Sequence, residues 1–162
     1  MTMTKKVPNF TVIKDTREQE GYHFSKYDKC EGMIVQKLDT GDYTIVGLEE
    51  KVCIERKASP EELAANLGQK KHAFMNEIER MRPFKHKFIL LEFTLKDLVE
   101  FPDNTRIPES QKKKVRISGK YMLKMLMEFQ LQRDIHIMFC GDKYNAFLTL
   151  SSLFKRLNEM YN

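Results

Sequence analysis

Residues 42–57 read DYTIVGLEEKVCIERK. Two short β-rich runs, 43–46 and 51–57, flank the tetrapeptide Gly47-Leu48-Glu49-Glu50, which is the pattern of a β-hairpin. Side chains alternate between faces along a strand. Val52 and Ile54 therefore point one way, and Cys53, Glu55 and Lys57 point the other. At about 3.3 Å per residue, Glu55 and Lys57 stand roughly 6–7 Å apart on a single face. If GLEE is a four-residue loop, Val46 opposes Lys51, paired residue numbers sum to 97, and Asp42 falls opposite Glu55. Directly opposed side chains have Cβ atoms about 4.5–5.5 Å apart. A three-residue loop would shift the register by one and turn Asp42 to the other face.

Outward from the hairpin, residues 10–15 (FTVIKD) read as a strand running into the polar loop TREQEGY, and 33–38 (MIVQKL) as a second strand. After it, Ser59-Pro60-Glu61-Glu62 is a helix start, with Ser as N-cap, Pro at the first helical position and acids in the first turn. That helix is expected to run to Arg82, where Pro83 stops it. Residues 86–93 (HKFILLEF) form a continuous apolar run, suited to a buried central strand. A short helix is expected at 94–100, a loop at 101–117, a helix at 118–133 behind Ser118, a strand at 135–140 and a last helix at 142–160. Antiparallel strands followed by β-α-β-α predict one three-layer α/β domain with a mixed sheet over residues 1–162.

Composition bounds the function. The chain has 162 residues, 41% hydrophobic and 31% charged, which suits a single domain with its own core. No apolar run approaches the roughly 18 residues of a membrane span, and MTMTKKVPNF has no secretory h-region. Three widely spaced cysteines (Cys30, Cys53, Cys140) form no CxxC and suit free thiols in a reducing compartment. The expected location is the cytoplasm or nucleoid of a bacterial or phage-infected cell. The net charge of +5 is concentrated: residues 103–125 hold seven bases and two acids. A local excess of this kind points to an anionic partner.

Two carboxylates as close as Asp42 and Glu55 repel unless a cation lies between them. Mg²⁺ or Mn²⁺ suits such a pair, because it takes oxygen ligands and one or two protein carboxylates. Such a metal activates water and stabilises charge on a phosphoryl oxygen, and a nearby lysine can assist. These are the parts that phosphodiester hydrolysis requires.

The residues also resemble a known family. Asp15-Thr16-Arg17-Glu18 resembles its D-x-R-E segment. Gly41-Asp42 with Glu55-Arg56-Lys57 resembles its GD…ERK signature, and Ile89-Leu90-Leu91-Glu92-Phe93 its apolar strand after the first long helix. The family is the XPF/Hef-type structure-specific nuclease domain of the PD-(D/E)XK superfamily. The resemblance implies a restriction-endonuclease-like fold, a central mixed sheet flanked by helices. It implies a Mg²⁺- or Mn²⁺-dependent DNA endonuclease acting on flaps, forks or Holliday-type junctions. Asp42 and Glu55 would hold the metal, and Lys57 would be the catalytic lysine. Asp15 and Glu18 would line the same cleft, with Arg17, Arg56 and Lys70 on the DNA side. The family's acid after the ERK falls on Glu61 by count or on Glu62 by the following leucine. Where the family has Arg and Gln further along the helix, this sequence has Lys70-Lys71-His72 and Asn76. No helix-hairpin-helix module follows, so Lys112, Lys113, Lys114 and Arg116 are the expected DNA cradle. The apolar helices at 118–133 and 142–160, with the family's habit of pairing nuclease domains, suggest a homodimer. Two other functions fit the same residues: an inactive DNA-binding scaffold of this fold, and a nuclease of plain duplex DNA.

Overall fold

The computed structural model describes Met3 and residues 5–162. Among these residues, six strands form one sheet: β1 (Phe10–Lys14), β2 (Cys30–Val35), β3 (Tyr43–Ile45), β4 (Val52–Lys57), β5 (His86–Leu91) and β6 (His136–Phe139). Their spatial order is β2-β1-β3-β4-β5-β6. β3 is antiparallel to both β1 and β4, whereas β4, β5 and β6 run parallel. The hairpin register is the expected one: Tyr43 pairs with Ile54, again summing to 97. The second strand differs from expectation. It lies at 30–35, not 33–38, and is parallel to β1. The segment 15–29 returns the chain to the same end of the sheet, anchored by the buried Tyr22 and Phe24, so the next strand repeats the direction of β1.

Among the described residues, six helices cover the sheet: α1 (Pro60–Leu67), α2 (Lys71–Arg80), α3 (Leu95–Val99), α4 (Glu109–Lys112), α5 (Gly119–Arg133) and α6 (Lys143–Met160). Ser59 caps α1 by accepting the Glu62 N–H at 3.2 Å. The single helix expected to reach Arg82 is broken at Gly68. A Cβ there would lie 3.0 Å from the Ala64 carbonyl and 3.4 Å from Ile117, so glycine lets the 101–118 segment pack closely at the break. The segment expected to be all loop also contains the single turn α4.

Alternation along β4 divides the core. Cys53 joins α1, α2, α3 and α5 on one face, while Val52 and Ile54 join α6 and the 22–24 segment on the other. The apolar residues of α5 and α6 are largely consumed in these two cores, with Met122, Leu126, Leu150 and Phe154 fully buried. The two helices lie on opposite faces of the sheet. Among the described residues, no helix is long and apolar enough to cross a membrane.

Candidate active site

The cleft forms where β3 and β4 diverge past their pairing. Gly41 leads into it with φ +82°, and a Cβ there would meet Cys53 Sγ at 2.7 Å. A glycine is therefore required at the first position of the Gly-Asp pair, both by its backbone and by its close approach to β4. The Asp42 N–H donates to the Ile54 carbonyl at 2.7 Å, and Asp42 Oδ2 accepts the Arg56 N–H at 2.8 Å. These two bonds fix the carboxylate against β4. Asp15, Arg17, Asp42 and Glu55 line one cleft of about 150 Å³, together with Asp39, Glu77 and Arg80; Glu18, expected there, does not line it.

Asp42 and Glu55 share an electrostatic problem. Burial raises the affinity of Asp42 for its proton, and the neighbouring Glu55 charge raises it further, well above the ordinary range. Glu55 is raised as well, first by burial, against the pull of Lys57. Two carboxylates that resist ionisation together are the donor set a divalent cation relieves. Their chemistry fits Mg²⁺ or Mn²⁺, which need only one or two protein carboxylates. Among the described residues, no group of three or more His, Cys, Asp or Glu converges into a fuller cage.

Lys57 is buried on the same face, its Nζ 3.3 Å from Glu55 Oε1 and 3.9 Å from Glu62 Oε1. It lies 4.9 Å from the centroid of the Phe74 ring. Burial alone would lower its pKa, but the charges of Glu55, Glu62 and Asp42 outweigh it and hold the ammonium protonated. The acid that reaches this group is Glu62, whose other oxygen accepts the Ala58 N–H at 2.8 Å. Glu61 is exposed.

The D-x-R-E residues divide their work. Asp15 is 1% exposed. Its Oδ1 accepts the Leu38 N–H at 2.7 Å and its Oδ2 the Arg17 Nε at 2.7 Å. Burial pushes its pKa up, yet these bonds prevail and hold it below the usual carboxylate range. Asp15 thus fastens the loops around the cleft. Arg17 also donates to the Leu38 carbonyl at 2.8 Å while staying exposed at the cleft mouth. Glu18 turns away to Arg56, at 3.2 Å. Burial raises its pKa despite the Arg56 charge.

Arg56 departs from expectation. It faces the opposite side of β4 and is 8% exposed. Its Nε and Nη2 bond Glu92 at 2.6 and 3.0 Å, and the Tyr22 hydroxyl donates to the same carboxylate at 2.5 Å. Three of its five guanidinium N–H donors bond Glu92 and Glu18 inside the protein, so it serves the core and not the cleft. The Lys112 ammonium bonds the Asp103 carbonyl at 2.8 Å and Glu109 at 3.0 Å. Lys70, Lys113, Lys114 and Arg116 are exposed. Beside them, Val115 and Ile117 pack on the core shared by α1, α2 and α5, which puts the basic segment on the same face of the sheet as Glu55 and Lys57.

The ERCC4 domain family matches residues 14–153. The chain belongs to the ERCC4 domain family. That is the XPF-type nuclease family whose residues it resembles. No curated protein matches its sequence. Among solved structures it is similar to XPF from Aeropyrum pernix, with TM-score 0.60, 20% identity, and coverage of 89% of this chain and 64% of that one. It is similar also to Aeropyrum pernix XPF in complex with DNA, with TM-score 0.62, 18% identity, and coverage of 92% and 65%. This ERCC4 domain thus spans less than two-thirds of the XPF chains it matches. Glu77 and Arg80, on α2, had no signal in the sequence. Their place in the cleft depends on the break at Gly68, which sets where α2 lies.

Proposed function

We propose that this ERCC4 domain is a Mg²⁺- or Mn²⁺-dependent endonuclease that hydrolyses phosphodiester bonds in branched or junction DNA. The observation that carries the proposal is the pairing of Asp42 and Glu55 in one cleft, with proton affinities raised by burial and mutual repulsion, beside a protonated Lys57. Asp42 and Glu55 would hold the metal, which when bound supplies positive charge for water activation and for the developing phosphoryl charge. The protein's own residues do the rest. Lys57, fixed by Glu55 and Glu62, presents a cation to the attacking water or to the phosphoryl oxygen. Asp15 keeps the loops in place and aims Arg17, whose guanidinium stands at the mouth where a phosphate would enter. The DNA reading draws support from the family membership and from the XPF–DNA complex of the same fold. Lys70, Lys113, Lys114 and Arg116 would supply affinity through the backbone without sequence reading. Branched DNA and pairing of two copies are proposed from the family alone.

The test is cleavage of labelled flap, fork and duplex DNA in Mn²⁺ by the wild type, Asp42→Asn and Lys57→Ala. Cleavage of flaps or forks that both variants abolish is expected. Binding without cleavage by the wild type would instead favour a scaffold, and equal cleavage of duplex would remove the branched-DNA preference.

A further inference from the structure

We infer that a second site, on the far side of the sheet from the cleft, stacks an unpaired nucleobase of the bound DNA. Gly21, Tyr22, His23, Lys143, Tyr144 and Phe147 line an open, mostly apolar hollow of about 400 Å³. Tyr144 is 68% exposed, and His23 is exposed as well. An aromatic ring left in water beside an apolar floor is a platform for a planar partner. Single strands are held by such rings, because every base has a π-face.

Its continuity with the cleft decides the occupant. The same loop that carries Asp15 and Arg17 into the cleft continues through Glu18 into Gly21, Tyr22 and His23. Tyr22 stacks on Tyr43, the neighbour of Asp42, with centroids 5.4 Å apart. Its N–H donates to the Tyr43 hydroxyl at 2.7 Å. Gly21 is packed so tightly on that hydroxyl that no Cβ fits. The Tyr22 hydroxyl, through Glu92, meets Arg56, whose backbone N–H holds Asp42. The hollow and the candidate metal carboxylates are therefore parts of one rigid unit. Lys143 borders the hollow, donating to the Glu20 carbonyl at 3.1 Å, and adds a cation beside the rings for the strand's backbone. Both lie at the end of the sheet where β1, β4 and β6 finish, so a strand that separates at the cleft and rounds that end would meet the hollow.

The site depends on the DNA reading above, and the experiment separates the two. The affinities of wild type, Tyr144→Ala and Tyr144→Trp for flap and plain duplex DNA are measured by anisotropy in Ca²⁺. 2-Aminopurine is placed at successive positions of the single strand. Tyr144→Ala should lose roughly 5- to 150-fold in flap affinity, with no change on duplex. Tyr144→Trp should restore the affinity. One 2-aminopurine position should be quenched by the wild type and released in Tyr144→Ala. Unchanged flap binding by Tyr144→Ala, or equal loss on flap and duplex, overturns the stacking site and leaves the nuclease reading standing. Absence of any DNA binding by the wild type overturns both.

Discussion

Replacing Arg56 by methionine should cost this domain more stability than any change in the exposed basic segment. Methionine keeps much of the side-chain length and removes the charge. Glu92 would then retain only the Tyr22 hydroxyl, with its side chain 4% exposed, and Glu18 would lose its cation. Breaking a buried pair by removing one partner costs about 3–5 kcal/mol. For a chain of this size, each kcal/mol moves the melting temperature by about 2–4 °C, so a fall of roughly 6–20 °C is expected. The loss is mostly the penalty of a stranded charge, so it should be recoverable. Arg56→Met with Glu92→Leu removes both charges but leaves the Tyr22 hydroxyl without its acceptor, at about 1–3 kcal/mol. Adding Tyr22→Phe should return most of the stability. Differential scanning calorimetry and urea titration read all four proteins. A loss under about 1 kcal/mol in Arg56→Met, the size expected of a surface arginine, would refute the reasoning. So would a triple variant no more stable than the single one. Below its melting temperature, Arg56→Met should bind DNA as the wild type does.

Three further outcomes are expected. Asp42 and Glu55 have folded-state proton affinities above those of the unfolded chain, so metal-free stability should fall as pH rises from the unfolded value of about 4 through the raised folded values. Asp42→Asn should therefore melt higher than the wild type at pH 7 without metal. It should lack the stabilisation expected of Mn²⁺ bound to the wild type, about 2.7 kcal/mol at a hundred times Kd; a lower melting temperature for Asp42→Asn would contradict the charge repulsion. Gly41→Ala, forced to φ +82° with its Cβ against Cys53 Sγ, should cost more than about 1 kcal/mol in chemical denaturation. Neutralising Lys113, Lys114 and Arg116 should reduce the slope of log affinity against log salt by about 0.9 for each phosphate contact removed, whereas Lys112→Gln should mainly lower stability; an unchanged slope would detach the segment from DNA.

The hairpin was readable because its information is local. Four loop residues and two alternating strands set the 42/55 pairing, and Ser59-Pro60 marks the helix start without any distant contact. Sequence failed where the outcome depends on tertiary partners. Arg56 sits between Glu55 and Lys57 in a basic-looking triplet, but its fate is decided by Glu92, thirty-six positions away. Asp15 does line the cleft, but its carboxylate is taken up by the Leu38 N–H, twenty-three positions away, and by Arg17. The direction of β2 depends on Tyr22 and Phe24 burying a loop with no periodicity. The break at Gly68 follows from how the 101–118 segment packs.

Glu55-Arg56-Lys57 carries two unrelated constraints on three consecutive residues. The outer two face the cleft and the middle one locks the opposite core. Descendants that gave up cleavage would be free to drift at positions 55 and 57, yet would still be held at 56 together with 92. A surviving Arg–Glu pair flanked by altered neighbours would then mark a retired enzyme, and a short signature scored as a whole would confuse retirement with decay.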